Sequence, residues 1–238
     1  MNSTKKDYLY RIMSYQHTIQ LFTQKKLYFS HPSRWEDPYE TRVKHSWEHK
    51  IYAQCWCKKS MSDAMWRIYS QQFTSLRIKT TREKLEAAMD RFVSRNRRYG
   101  YKFRIQDVEY LSTQSLIKKT QEYARKIANP DNQLMAASNA ANILCQKRNA
   151  FDHEQEVRAL IYRPEENTGN PTLSLQIDID PHELIESILI DPRAPDELFD
   201  AFKYHLKNVI GFQGIIQKSA LYKVPEIITT EPEEDLEL

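Results

Sequence analysis

Glu154-Gln155-Glu156-Val157-Arg158-Ala159-Leu160-Ile161-Tyr162 alternates charged and aliphatic residues before running into an apolar end. That period predicts a strand with Glu154, Glu156 and Arg158 on one face and Val157, Ala159 and Ile161 on the other. Before it, Thr113 to Phe151 reads as two helices joined at Asn129-Pro130-Asp131. Further upstream, strands are expected at residues 7–12, 27–30, 51–57, 76–80 and 101–111, and helices at 14–25, 62–73 and 80–99, with a short helix at 40–50. Downstream come a loop around 166–171, a strand at 173–179, helices at 181–190 and 191–210, and a closing segment Ala220-Leu221-Tyr222-Lys223-Val224-Pro225. Strands and helices mix without regular βαβ alternation, so the fold class is α+β with a mainly antiparallel sheet. The stretch 81–150 reads as a helical insertion on that sheet. A single domain is expected over 1–228, followed by a tail at 229–238 rich in acidic residues.

The 238 residues carry 35 Lys+Arg against 32 Asp+Glu, and 40% are hydrophobic. Such a chain can bury a core and is not of disordered composition. No segment approaches the roughly 18 to 20 uncharged apolar residues of a membrane span, and the N-terminal residues lack a signal-peptide pattern, so a cytoplasmic protein without membrane contact is expected. The four glycines are Gly100, Gly169, Gly211 and Gly214. Their placement excludes both a GxGxxG turn and a P-loop, so any nucleotide must be held by side chains. Three cysteines, an odd number, suit a reducing compartment. His45, His49, Cys55 and Cys57 have poor spacing for zinc, and both thiols fall on one strand face, so no metal is expected.

Three groups of residues could carry chemistry. Glu154 and Glu156 either face water beside Arg158 or share a cleft in which repulsion raises one pKa. Arg11 interrupts an apolar strand, where a guanidinium must be paired, for example with Asp37, or must grip an anion. Trp66 and Tyr69 share a helix face, as core residues or as a stacking surface.

Taken in order, Leu-Tyr-Arg at 9–11, LYFS at 27–30, W-x-DP-x-E at 35–40, C-W-C at 55–57, MWRIY at 65–69 and E-x-E-x-R at 154–158 resemble a widespread bacterial domain family of unknown function. The same order resembles the ADP-ribosyltransferase superfamily, with a split antiparallel sheet. That resemblance implies NAD as co-substrate, without a metal. It makes Arg11 the group on the first strand that holds the NAD ribose or phosphate, and gives Tyr28 and Ser30 the nicotinamide pocket. Glu156 becomes the catalytic carboxylate, and Glu154 the residue nearest the incoming nucleophile. Asp37, Trp66 and Tyr69 join the NAD-binding set.

Charge suggests the acceptor. Arg91, Arg95, Arg97, Arg98, Lys102 and Arg104, with Tyr99 and Tyr101 among them, could contact phosphates and stack bases, or simply solvate a helix. The superfamily resemblance implies mono-ADP-ribosyl transfer by a toxin-like or defence effector. Nucleic acid is the expected acceptor, RNA ahead of DNA and then protein, and a restraining antitoxin or inhibitor protein would be a partner. A metal-independent nuclease or nucleic-acid-binding module is the alternative, and a non-enzymatic interaction protein with structural ion pairs the second.

Overall fold

The computed structural model describes residues 6–45, 50–129, 131, 133–163 and 172–225. In chain order its elements are β1 (Tyr8–Ser14), α1 (Tyr15–Gln24), β2 (Lys26–Ser30), β3 (Ile51–Cys57), α2 (Asp63–Tyr69), β4 (Ser75–Thr81) and α3 (Arg82–Arg95). There follow β5 (Lys102–Asp107), β6 (Glu109–Leu111), α4 (Thr113–Ala128), α5 (Gln133–Ile143), β7 (Gln146–Arg148) and β8 (Glu156–Tyr162). The chain continues through β9 (Ser174–Asp178), α6 (Pro181–Leu184), β10 (Ser187–Ile190), α7 (Asp196–Tyr204) and β11 (Ile215–Lys218). Caps explain several starts: Ser14, Ser62, Thr81 and Ser112 each accept a backbone N–H in the first turn of the helix they precede.

The main sheet is mixed but chiefly antiparallel, as the α+β reading expects, with β10 and β11 parallel. Its order is β11-β10-β4-β1-β3-β2-β9, and β8 lies on the other side of β3, followed by β5. β3 divides one edge between two strands. It meets β1 only at Tyr10↔Cys57 and β2 only at Ser30↔Ala53. On its opposite edge it pairs with β8 from Ile51↔Tyr162 to Cys57↔Glu156.

One sheet face carries Leu9, Leu76, Ile78, Trp56, Val157 and Ile161 against Phe22 of α1, Leu85 and Met89 of α3 and Phe202 of α7. On the other face, Ile51, Ala53, Leu160 and Tyr162 pack under α5, whose Ala136, Ala137, Ala140 and Ala141 are fully buried. Alanine at these positions lets the helix sit close to the strands without side-chain entropy to lose. The same face, continued toward Glu156, turns polar.

Several expectations change. No helix forms at 40–45, because Glu40 pairs with Arg158 and Arg42 donates to Thr120 Oγ1 at 2.6 Å, holding that segment irregular; residues 46–49 lie outside the described ones. The second helix before Glu154 stops at Ile143, giving way to β7, which pairs in parallel with β6, and then to a 3-10 segment over Asn149–Glu154. Glu154 therefore leaves the strand, and Gln155 takes a left-handed φ of 42° between it and β8. Residues 101–111 split at Val108, whose N–H donates to the Glu156 carbonyl at 2.9 Å. In place of a helix over 181–190 there is a single turn and then β10, since Ile188 and Ile190 are buried between β4 and β11 and branched side chains favour a pleated ladder. β11 has no counterpart in the sequence reading. The loop at 166–171 and the acidic tail lie outside the described residues.

Candidate active site

Between the rungs that β3 shares with β1 and β2, side chains take the place of backbone pairing. Arg11 Nη1 donates to the Cys55 carbonyl at 3.1 Å, Gln54 Nε2 to the Tyr28 carbonyl at 2.9 Å, and Ser30 Oγ to the Ala53 carbonyl at 3.3 Å. The gap opens into three neighbouring cavities, each lined by Arg11. The largest, about 770 Å³, also has Ser30, Asp37, Tyr69, Glu154 and Glu156 on its walls. A second of about 440 Å³ holds Tyr28 beside Ser30 and Gln54. The third, about 150 Å³, lies beneath α2 and reaches Trp66, Tyr69, Glu154 and Glu156.

At the polar end of β8 sits a buried charge cluster. Arg158, 1% exposed, donates from Nε to Glu156 Oε1 and from Nη2 to Glu156 Oε2, each at 2.8 Å. It also bonds Glu40 and the Leu144 carbonyl, and its guanidinium lies 4.2 Å from the centre of the Trp35 ring. Lys147 Nζ is 2.6 Å from Glu154, 3.3 Å from Glu156 and 4.0 Å from Glu40. The Glu156 N–H donates to Tyr110 Oη at 2.8 Å. Three carboxylates thus face two cations, all of them buried residues on the wall of the cleft, where charge-assisted hydrogen bonds are stronger than in water.

Burial alone would raise the Glu156 carboxyl, but the Arg158 charge and hydrogen bonds, with Lys147, bring it down to about 2. For Glu40 the balance is reversed: burial pushes its carboxyl up despite Arg158 and Lys147. Burial also raises the Cys55 thiol, which hydrogen-bonds Glu156 and is no nucleophile in that state. Arg11 is held differently from these groups. Burial lowers its pKa, and its one hydrogen bond is to a carbonyl, so Asp37 is not its partner. Asp37 accepts instead from Arg148 Nη2 at 3.0 Å and from the Tyr39 N–H at 3.1 Å.

The structure brings Arg11, Ser30, Asp37, Tyr69, Glu154 and Glu156 to one cleft and Tyr28 to the adjoining cavity. Trp66 is 1% exposed and forms a wall, whereas Tyr69, one helical turn on, is 48% exposed and free to stack. The basic stretch is elsewhere. Lys102 pairs with Tyr162, at the far end of β8 from Glu156, about 20 Å along the strand. Near it Arg98 lies over Tyr99, and Arg95 faces Asp178, Asp180 and Glu183. Arg97 begins the 3-10 turn between α3 and β5.

Glu40, Lys147, Trp35 and Tyr110 belong to the site without having been assigned a role from sequence. Glu40 and Trp35 stood in the W-x-DP-x-E motif, and their partnership with Arg158 gives that motif a physical reason. Lys147 falls within the stretch 113–151 expected to be helical, whereas it lies buried on β7. Cys55 and Cys57 do share a face of β3, but no His/Cys/Asp/Glu group among the described residues has the geometry to hold a metal ion, and His49 lies outside them. No helix among those residues is long and apolar enough to cross a membrane.

Residues 65–159 match the family described as "Protein of unknown function (DUF2971)". Curated proteins give no match. Solved structures similar to the chain include Thermus sp. 2.9 DarT in complex with NAD+, 12% identical over 92% of this chain and 98% of that one, with a TM-score of 0.43. The same protein in complex with ADP-ribosylated ssDNA is 12% identical over 91% of this chain and 95% of that one, with a TM-score of 0.44. Its complex with carba-NAD+ gives 12% identity over 91% and 97%, with a TM-score of 0.41.

Proposed function

We propose that the chain transfers ADP-ribose from NAD to a nucleic-acid acceptor. The observation that carries this reading is the shared cleft: Arg11, Ser30 and the Glu154/Glu156 pair, far apart in sequence, line one cavity where the sheet splits. The residues suit the dinucleotide. Arg11 has guanidinium N–H groups left for an anion, and the cavity that holds Tyr28 extends the cleft past Ser30. In the reaction the bond between C1′ of the ribose and the nicotinamide nitrogen breaks, and nicotinamide leaves with the electron pair. The acceptor's lone pair then closes on C1′, and its proton is lost to a base. Glu156 faces the cationic ribose and accepts from its 2′-hydroxyl, an electrostatic role suited to a carboxylate that stays ionised across the physiological range. Glu154 stands beside the incoming nucleophile, and Tyr69, with Asp37 on the same cavity wall, belongs to the NAD-binding set. Arg34, Arg148 and His153 on the same cavity wall would guide the acceptor, with Arg95, Arg97, Arg98 and Lys102 as a remote phosphate contact. The acceptor order remains RNA, then DNA, then protein, and a restraining antitoxin is the partner such an effector would need.

Incubating the pure protein with labelled NAD and pools of RNA, DNA and lysate protein tests the reading. Label should reach a nucleic-acid pool and fall by at least ~100-fold in Glu156→Gln. No transfer to any pool, together with no NAD turnover, would sink it. A second reading has its own observation, since both Glu156 oxygens are engaged by Arg158 and Lys147 as in a purely structural ion pair. In that case Glu156→Gln lowers the melting temperature and changes no activity.

A further inference from the structure

Arg77 sits in the middle of β4, on the sheet face that also bears Tyr10, Cys57 and Glu156. It is 9% exposed, and its Nε is buried with no hydrogen-bond partner. What the guanidinium touches is the Tyr10 ring, whose centre lies 4.7 Å away. Burial drives its pKa down, opposed only by Tyr10 and Cys57, and burial raises both of those groups, so neither is an anion near neutral pH. Glu186, close enough to raise the Tyr10 phenol, is itself held by Lys84 at 3.2 Å, Lys6 at 3.7 Å and Lys79 at 3.8 Å. A buried guanidinium without a counter-ion is costly to fold. Such a group becomes reasonable when the anion comes from outside the chain.

The cavity of about 150 Å³ beneath α2 is where that anion could arrive. Arg77, Arg11 and Lys59 line it together with Ser62, whose hydroxyl accepts from the Met65 N–H and keeps its own hydrogen to donate. Glu154 and Glu156 close the other end, but Lys147 and Arg158 already neutralise them. The walls themselves therefore carry three cations, Arg11, Lys59 and Arg77, against two carboxylates that Lys147 and Arg158 hold from behind. An arginine fork beside a hydroxyl and an ammonium matches the oxygens of a phosphate group.

We propose that this chamber is a phosphate site, in which Arg77 grips a nucleotide phosphate directly beside the Glu154/Glu156 pair. Two substrates could bring that phosphate: a phosphodiester of the acceptor strand or the diphosphate of NAD. The inference rests on reading the cleft as a nucleotide site, yet binding alone tests it, so failure of label transfer leaves it standing. Calorimetric titration of the full chain and of Arg77→Met would use three probes: NAD, a short single strand with phosphodiester linkages, and the same strand with uncharged methylphosphonate linkages. The variant should melt at or above the parent temperature, because it removes an unpaired buried charge, while binding of a charged probe weakens at least ~10-fold. Weakening confined to the phosphodiester strand identifies the acceptor as the source, and weakening confined to NAD identifies the diphosphate; loss for both supports a site that serves either. The methylphosphonate strand should bind the two proteins alike. Unchanged affinities, absence of binding of either charged probe to the parent protein, or a variant that melts well below the parent or fails to fold would each overturn the proposal, the last by showing that protein contacts hold Arg77.

Discussion

Arg158 grips Glu156 through two parallel hydrogen bonds of 2.8 Å, although the two residues stand only two apart on β8. Strand alternation puts them on one face, and burial then leaves each as the main counter-charge of the other. Glu156→Ala removes the bidentate partner of Arg158 and leaves Glu40 and Glu154 to balance Arg158 and Lys147, and its expected cost is about 1.5–3 kcal/mol in urea unfolding. Glu156→Gln keeps an acceptor oxygen and should cost less. A loss below ~1 kcal/mol for the alanine variant would contradict the cluster as described.

Acid should unfold the protein through the same group. The folded Glu156 carboxyl lies at about 2, below the ordinary 4.5, so its stabilisation is complete above the unfolded value and is lost as pH falls toward the folded one. Between pH ~5 and ~2 the expected loss is on the order of 3 kcal/mol. Glu40, raised by burial, has the opposite sign and offsets part of that slope. Urea midpoints across this window should fall more steeply for the parent than for Glu156→Gln. Equal slopes would rule out Glu156 as the source.

Gln155 turns the chain from the 3-10 segment into β8 at a φ of 42°. A side chain there costs roughly 1–2 kcal/mol that glycine avoids. Gln155→Gly should therefore keep or slightly raise the melting temperature, while Gln155→Val lowers it. Because the same turn delivers Glu154 to Lys147, the valine variant should also reduce label transfer, which a paired melt and activity assay would read.

Gly214, ahead of β11, has no room for a methyl group. A Cβ there would stand 2.3 Å from Phe212 Cζ and 2.6 Å from the Glu186 carbonyl oxygen. Gly214→Ala should cost about 1–3 kcal/mol, because backbone and a buried ring must both move. Gly211 has nothing within 4 Å, and its penalty comes only from a φ of 75°. Chemical unfolding of the two alanine variants should rank Gly214 as the more damaged.

Much of this arrangement was legible in the residues themselves. The strands β1 to β4 form close to the ranges expected from the sequence. The shared face of Glu156 and Arg158 followed from a period of two. Glu154 escaped because its position depends on a left-handed glutamine, and glutamine gives no local sign of that conformation. β10 escaped because Pro181 opens a helical turn whose continuation was decided by ladder partners far away in sequence. Arg77 shows the limit best: Leu76-Arg77-Ile78 interrupts an apolar strand just as Arg11 interrupts its own, yet only Arg11 stood in a motif that drew attention.

The single rung between β1 and β3 gives Arg11 a mechanical meaning. Its bond to the Cys55 carbonyl stands where the next rung of a closed ladder would run, so the guanidinium acts as a wedge in an unzipped seam. Under the proposed function, an anion taken up by the remaining N–H groups of Arg11 would bear directly on this seam, so filling the slot and setting its width would be one event.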